Sequence, residues 1–245
     1  MDAIDVGLFY RSALDKRQIL EQPDAVAARL AGLGLPIANY YHLFGEGLEG
    51  RNLALPGTLD ANLADLEKVF AFADKAGIAT VFILPGVINP GQSREAAAKV
   101  STGSLKAMQS LAAGYRARLC VEPHVHSWAE SPTLVRRLID ETGIGLALDY
   151  AHFTCLGYRQ NEIDPLAQHA VHVHLRQARM GVLQAKFAQG TLNFPAMFGT
   201  LREAGYAGSL AIEYVHQDYM NTVNEDVLTE TIAMRDCFRN WQKEI

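Results

Sequence analysis

Glu122, Asp149, His174 and Glu213 each close a short apolar run: Leu119-Cys120-Val121-Glu122, Gly145-Leu146-Ala147-Leu148-Asp149, Ala170-Val171-His172-Val173-His174 and Leu210-Ala211-Ile212-Glu213. Three carboxylates and one imidazole form an O,O,N,O donor set for a divalent cation. Carboxylate oxygens favour hard ions, and one imidazole shifts the preference toward Mn²⁺, Co²⁺ or Zn²⁺ and away from Ca²⁺. Manganese is the first expectation, with magnesium, cobalt or zinc as alternatives. A cation would also offset the repulsion among three carboxylates brought together. Taken singly, each acid reads equally well as a strand-end residue bound to loop amides. The joint placement carries the metal reading.

Two opposed carboxylates beside a metal suit proton transfer next to a carbonyl. One carboxylate of the set would remove the α C–H proton of a hydroxyketone or hydroxyaldehyde, leaving an enediolate, and another would return a proton. Return on the opposite face gives epimerisation; return to the neighbouring carbon gives aldose–ketose isomerisation. Loss of a β-hydroxyl as water would instead make the chain a dehydratase or lyase. A protein that binds a metabolite without turnover is the non-enzymatic alternative.

Other polar groups surround this set in the sequence. His152 follows Asp149 by three residues and is placed to hydrogen-bond a substrate hydroxyl; a loop histidine with a water or backbone partner is its plainer role. His172 lies two residues before His174 on the same side, where it would orient the ligand rather than bind the ion. His124 and His126 are candidates to face the cavity, His124 as a substrate contact. Arg176 and Arg179 either bind substrate oxygens or phosphate or make exposed salt bridges. Phe9, Phe44, Trp128 and Phe153 are candidate pocket walls.

These side chains need elements to hold them. Strands are expected at Val6–Tyr10, Pro36–Tyr41, Thr80–Leu84, Arg118–Glu122, Gly145–Asp149, Ala170–Leu175 and Ser209–Tyr214, with helical segments between them, the pattern of repeated βα units. Leu59, Leu63, Leu66 and Phe70 recur at helical spacing, and Gly77 marks that helix's end. Ser131-Pro132 and Asp164-Pro165 each combine a capping residue with a proline suited to the first helical position. Gly205 and Gly208 break the chain before the last strand. Long loops are expected at 44–58, 85–92 and 179–193. Within the late strands, Val171, Val173 and Leu175 oppose His172 and His174. Likewise Leu146 and Leu148 oppose Ala147 and Asp149, and Leu210, Ile212 and Tyr214 oppose Ala211 and Glu213. Every proposed ligand falls on the side of the smaller residues.

The stretches Val121–Ser127 (VEPHVHS), Leu146–Phe153 (LALDYAHF), Val171–Arg179 (VHVHLRQAR), Gln189–Gly208 and Leu210–Tyr214 (LAIEY) resemble the sugar phosphate isomerase/epimerase superfamily of xylose-isomerase-like TIM barrels. The resemblance is strongest from about Val121 to Tyr214. It implies a (β/α) barrel, a sugar-like substrate, metal ligation by Glu122, Asp149, His174 and Glu213, and proton transfer by Glu122 and Glu213. It also implies substrate contacts at His152 and, approximately, at Arg179, while Gln189-Gly190 departs from a common Gly-x-Gly. Seven strands rather than eight suggest that the first βα unit is lacking, with the open edge covered, for example, by a homodimer.

The whole composition agrees with one barrel domain over 1–245. A length of 245 residues suits such a barrel. Hydrophobic residues make up 49% and charged ones 20%, a globular balance. With 22 basic and 27 acidic residues the net charge is −5, which argues against nonspecific binding of nucleic acid or anionic lipid. Three cysteines without a CxxC read as free thiols in a reducing cytoplasm. No signal-like N-terminus or membrane-length apolar run is expected, so the partners reduce to a small carbohydrate and a possible second copy of the chain.

Overall fold

The computed structural model describes residues 2–7, 14–223 and 225–244. In chain order the elements are β1 (Ile4–Gly7), α1 (Lys16–Glu21), α2 (Pro23–Ala31), β2 (Ile37–Tyr41), α3 (Leu59–Ala76), β3 (Thr80–Ile83), α4 (Arg94–Ala112) and β4 (Arg118–Val121). There follow α5 (Pro132–Thr142), β5 (Gly145–Asp149), α6 (Tyr150–Thr154), α7 (Gln160–Ile163), β6 (Ala170–Leu175), α8 (Phe194–Glu203), β7 (Leu210–Ile212) and α9 (Val227–Glu244). The chain forms two compact units. One holds 1–122, 126–129 and 134–145; the other holds 123–125, 130–133 and 146–245.

In the first unit β1, β2, β3 and β4 pair in parallel and in chain order. The expected strand Val6–Tyr10 coincides with β1 at Val6 and Gly7, and its remainder, including Phe9, lies outside the described residues. The apolar stripe read from Leu59 onward is real: Leu66, Val69, Phe70, Phe72 and Ala73 of α3 are buried, and Gly77 closes the helix at φ 69°. Parallel strands joined by helices bury both faces, which is why β3 is buried along its whole length.

The two long loops of this unit are held by Asn52. Its side chain accepts from the Ala54 and Val87 amides at 3.0 and 3.3 Å and donates to Asn89 at 3.0 Å. Gly86 must be glycine here: its φ is +92°, and a Cβ would sit 2.7 Å from the Ala54 nitrogen. Trp128 is buried and donates its indole N–H to the Pro85 carbonyl at 2.9 Å, which fastens a loop. Phe44 is likewise buried, edge-on to His42 at 4.7 Å.

In the second unit β5, β6 and β7 are parallel neighbours. Asp149 is in register with His174, and His174 with Ala211. The Glu213 amide donates to the Leu175 carbonyl at 2.9 Å, extending the ladder one residue past β7. Helix α9 closes the unit through Phe238 and Trp241, which pack on Phe198 of α8 at 5.0 and 5.4 Å.

Asp164-Pro165 behaves differently from the sequence expectation. It opens a 3₁₀ segment, Asp164–His169, whose N-cap position is Ile163 and which has no side-chain cap. The Asp164 carboxylate instead accepts from the Tyr150 hydroxyl at 3.1 Å, so a tertiary partner takes the oxygen a cap would need.

Candidate metal and proton-transfer site

Period-two alternation puts His172, His174 and Arg176 on one side of β6 and its extension, with Asp149 beside His174 in the ladder. All four are buried. Asp149 also caps α6: its Oδ1 accepts the Ala151 amide at 2.8 Å, and that short helix carries His152. The other oxygen, Oδ2, accepts from Arg176, with Nε at 2.8 Å and Nη2 at 2.6 Å. The same Nη2 lies 2.9 Å from His152 Nε2 and 3.7 Å from Glu213 Oε2. Arg176 is thus the residue that the sequence left between two roles. Its place on the His172–His174 side was the available signal.

His174 Nδ1 lies 3.4 Å from Glu213 Oε2. That oxygen is buried and has no hydrogen-bond partner among the described residues. A lone carboxylate oxygen kept from water beside an imidazole nitrogen is costly unless a proton or cation completes it. The two groups lie close enough to share one ion, and together they form a candidate divalent-metal site. Their oxygen and nitrogen donors suit the ions expected from the sequence.

The histidines divide into distinct environments. His124 lies beside His152, ring centroids 4.1 Å apart and planes tilted by 43°, and its Nδ1 donates to the Val125 carbonyl at 2.7 Å. His172 stands edge-on to His174 at 5.0 Å. His126 and His216 are exposed. Burial, followed by the positive fields of His124, Arg176 and His174, holds His152 well below the ordinary histidine pKa, so the ring is neutral near pH 7. Burial pushes the Asp149 carboxyl upward, while Arg176 and the Ala151 amide pull the other way.

Glu122 belongs to the first unit. It is buried, and its amide donates to the Ile83 carbonyl at 3.0 Å, which prolongs the β3–β4 ladder. Its peptide bond leads directly into Pro123 and Val125 of the second unit. Arg179 is exposed, at one end of a tight turn closed by Val182. Phe153 is buried within α6.

A family model described as xylose isomerase-like TIM barrel matches residues 1–237. The chain belongs to that family. The described residues hold seven parallel strands, one short of the eight in an ordinary TIM barrel. Among solved structures, a 3-keto-D-glucoside 4-epimerase from E. coli is 15% identical, with a TM-score of 0.70 over 99% of each chain. A xylose isomerase domain protein from Planctomyces limnophilus is 16% identical, with a TM-score of 0.74 over 100% of this chain and 89% of its own. The IOLI protein, solved with a bound zinc atom, is 15% identical, with a TM-score of 0.70 over 96% of this chain and 86% of its own. These are likenesses of fold. No curated protein matches the sequence.

Two residues of this xylose isomerase-like chain went unnoticed in the sequence. Gln177 accepts the Ala178 and Leu192 amides, each at 3.0 Å. Gln184 accepts the Val215 amide at 2.9 Å and donates to the Val223 carbonyl at 2.8 Å, tying down the segment after Glu213. Glutamines in a loop give no periodic signal, because their partners are backbone groups distant in sequence. No helix among the described residues is long and apolar enough to cross a membrane.

Proposed function

We propose that this protein is a divalent-metal-dependent isomerase or epimerase acting on a sugar or related polyol-ketone, with Glu122 and Glu213 as the proton-transfer pair. The observation that carries the reading is the buried, unbonded Oε2 of Glu213 beside His174. Glu122, Asp149, His174 and Glu213 are the proposed ligands, and manganese is the proposed ion, favoured by hard carboxylates joined to one imidazole. The epimerase named among the solved relatives supports the reaction class.

A bound divalent ion would supply the positive charge that makes the C–H beside a carbonyl acidic. One carboxylate of the Glu122–Glu213 pair takes that proton, leaving an enediolate. The other, starting as the protonated acid, gives its proton back on the opposite face, which inverts the centre and leaves the pair with its protonation exchanged, without net change in atoms or charge. His152 holds a substrate hydroxyl; its neutral ring can do so without adding a repelling charge. His124, beside His152, and Arg179, at the exposed turn, are the further proposed substrate contacts. The reading includes one barrel domain over the chain, supported by the continuous match across 1–237. It also includes a cytoplasmic setting, supported by three free cysteines, and a homodimer, which sedimentation tests.

The test is metal analysis of the purified protein followed by exchange in D₂O. Free and phosphorylated ketoses are incubated with it, and deuterium at the carbon next to the carbonyl is read by NMR. The expected result is metal-dependent incorporation that Glu213→Gln abolishes while the chain stays folded. Full exchange in Glu213→Gln sinks the role of that residue. A folded, metal-loaded protein inert toward the whole panel sinks the reaction class.

A further inference from the structure

The guanidinium of Arg176 lies against two of the proposed ligand carboxylates, Asp149 and Glu213. Its Nη2 alone lies 2.6 Å from Asp149 Oδ2, 2.9 Å from His152 Nε2 and 3.7 Å from Glu213 Oε2. The other oxygen, Oδ1, accepts from the Ala151 amide at 2.8 Å, so both oxygens of Asp149 are already hydrogen-bonded. A divalent ion using Asp149 therefore meets a positive group already on the ligand oxygen. Lysine or histidine could make room by losing a proton, but an arginine guanidinium keeps its charge at any pH the fold survives.

His152 shows the same tension. Arg176 can only donate to Nε2, and the Val125 amide points at Nδ1 from 3.4 Å. A neutral imidazole has one lone pair and one N–H, so it cannot accept at both nitrogens. The shorter contact sets Nε2 as the acceptor, and a substrate hydroxyl can use that nitrogen only if Arg176 leaves it.

We propose that Arg176 is a resident counter-cation: it holds Asp149 and His152 when no divalent ion is bound, and metal loading is an exchange in which it gives up both. This rests on the metal-dependent reading above and adds to it a coupling. The event that frees Asp149 for the ion also frees His152 for substrate. Arg176 is accordingly a positioning residue whose presence weakens metal binding and stabilises the metal-free fold.

The test compares wild type, Arg176→Met and Arg176→Lys by titrating Mn²⁺ and Zn²⁺ into chelator-stripped protein, with calorimetry for affinity and thermal melts with and without metal. Arg176→Met is expected to bind about tenfold tighter or more, the scale of one lost ionic repulsion. Its metal-free Tm should fall, and the Tm gained on adding metal should exceed that of wild type. Arg176→Lys keeps the charge but not the planar fork, and should fall between the two; if Arg176→Met does not fold, the lysine variant decides. If wild type binds metal and the variant binds it equally or more weakly, exchange is wrong while the metal reading stands. If only the variant binds, Arg176 blocks the site and is not exchanged, and both the exchange and the metal reading fail for the native chain. If neither binds, both fail.

Discussion

Arg176 and Asp149 form an ion pair with a closest approach of 2.6 Å, both side chains all but fully buried, between residues 27 positions apart in the chain. Such a pair owes its existence to mutual compensation, since either charge alone would be expensive to keep from water. Exposed pairs in the same protein, such as Arg137 with Glu95, are of another kind. There water screens the charges, and their loss should scarcely register.

Asp149→Asn should therefore destabilise the metal-free protein by about 3–5 kcal/mol, the usual cost of stranding a buried partner. Urea denaturation of chelator-treated protein measures it, with Glu95→Gln as the exposed control. A loss no larger than the control's would show that Arg176 finds other compensation.

His152→Gln tests the division between ion and substrate. Metal content should stay at the wild-type level, while KM rises on the order of tenfold or more and kcat changes less, the pattern of a lost substrate contact. Loss of the metal instead would make His152 a ligand and remove it from the substrate.

His42 gives a pH prediction away from this site. Both ring nitrogens are buried without a hydrogen-bond partner among the described residues, and burial lowers the pKa from 6.5 to about 3. Above pH 6.5 the ring is neutral in both the folded and unfolded states, so His42 adds no pH dependence there. As pH falls from 6.5 toward 3, the unfolded chain takes up a proton that the native state refuses, and stability drops. At about 1.4 kcal/mol per unit the full penalty is roughly 5 kcal/mol. His42→Phe should move the acid-unfolding midpoint, followed by circular dichroism, to lower pH; an unmoved midpoint would mean that another group governs acid unfolding.

Gly190→Ala should destabilise by about 1–3 kcal/mol, because the added Cβ would collide with the Gln177 side chain, which its hydrogen bonds hold in place. A double-mutant cycle with Gln177→Ala checks the cause. The two losses should be strongly non-additive, and simple additivity would place the strain elsewhere.

The amino-acid sequence by itself determined where β5 and β6 begin and end, placed β7 within a wider span, and showed which side of each late strand carries the polar groups. Alternation is a property of neighbouring residues, so Asp149, His174 and Glu213 could be assigned to a common side before any pairing was known. The α3 stripe and its Gly77 stop were legible for the same local reason. Tertiary structure alone decided what those groups touch. Whether Arg176 pairs with solvent or with Asp149 depends on the β5–β6 register, and whether Asp164 caps a helix depends on where the Tyr150 hydroxyl lies. Local pattern fixes direction at little entropic cost. Partners far apart in the chain are chosen only when strand register and burial remove the competing water.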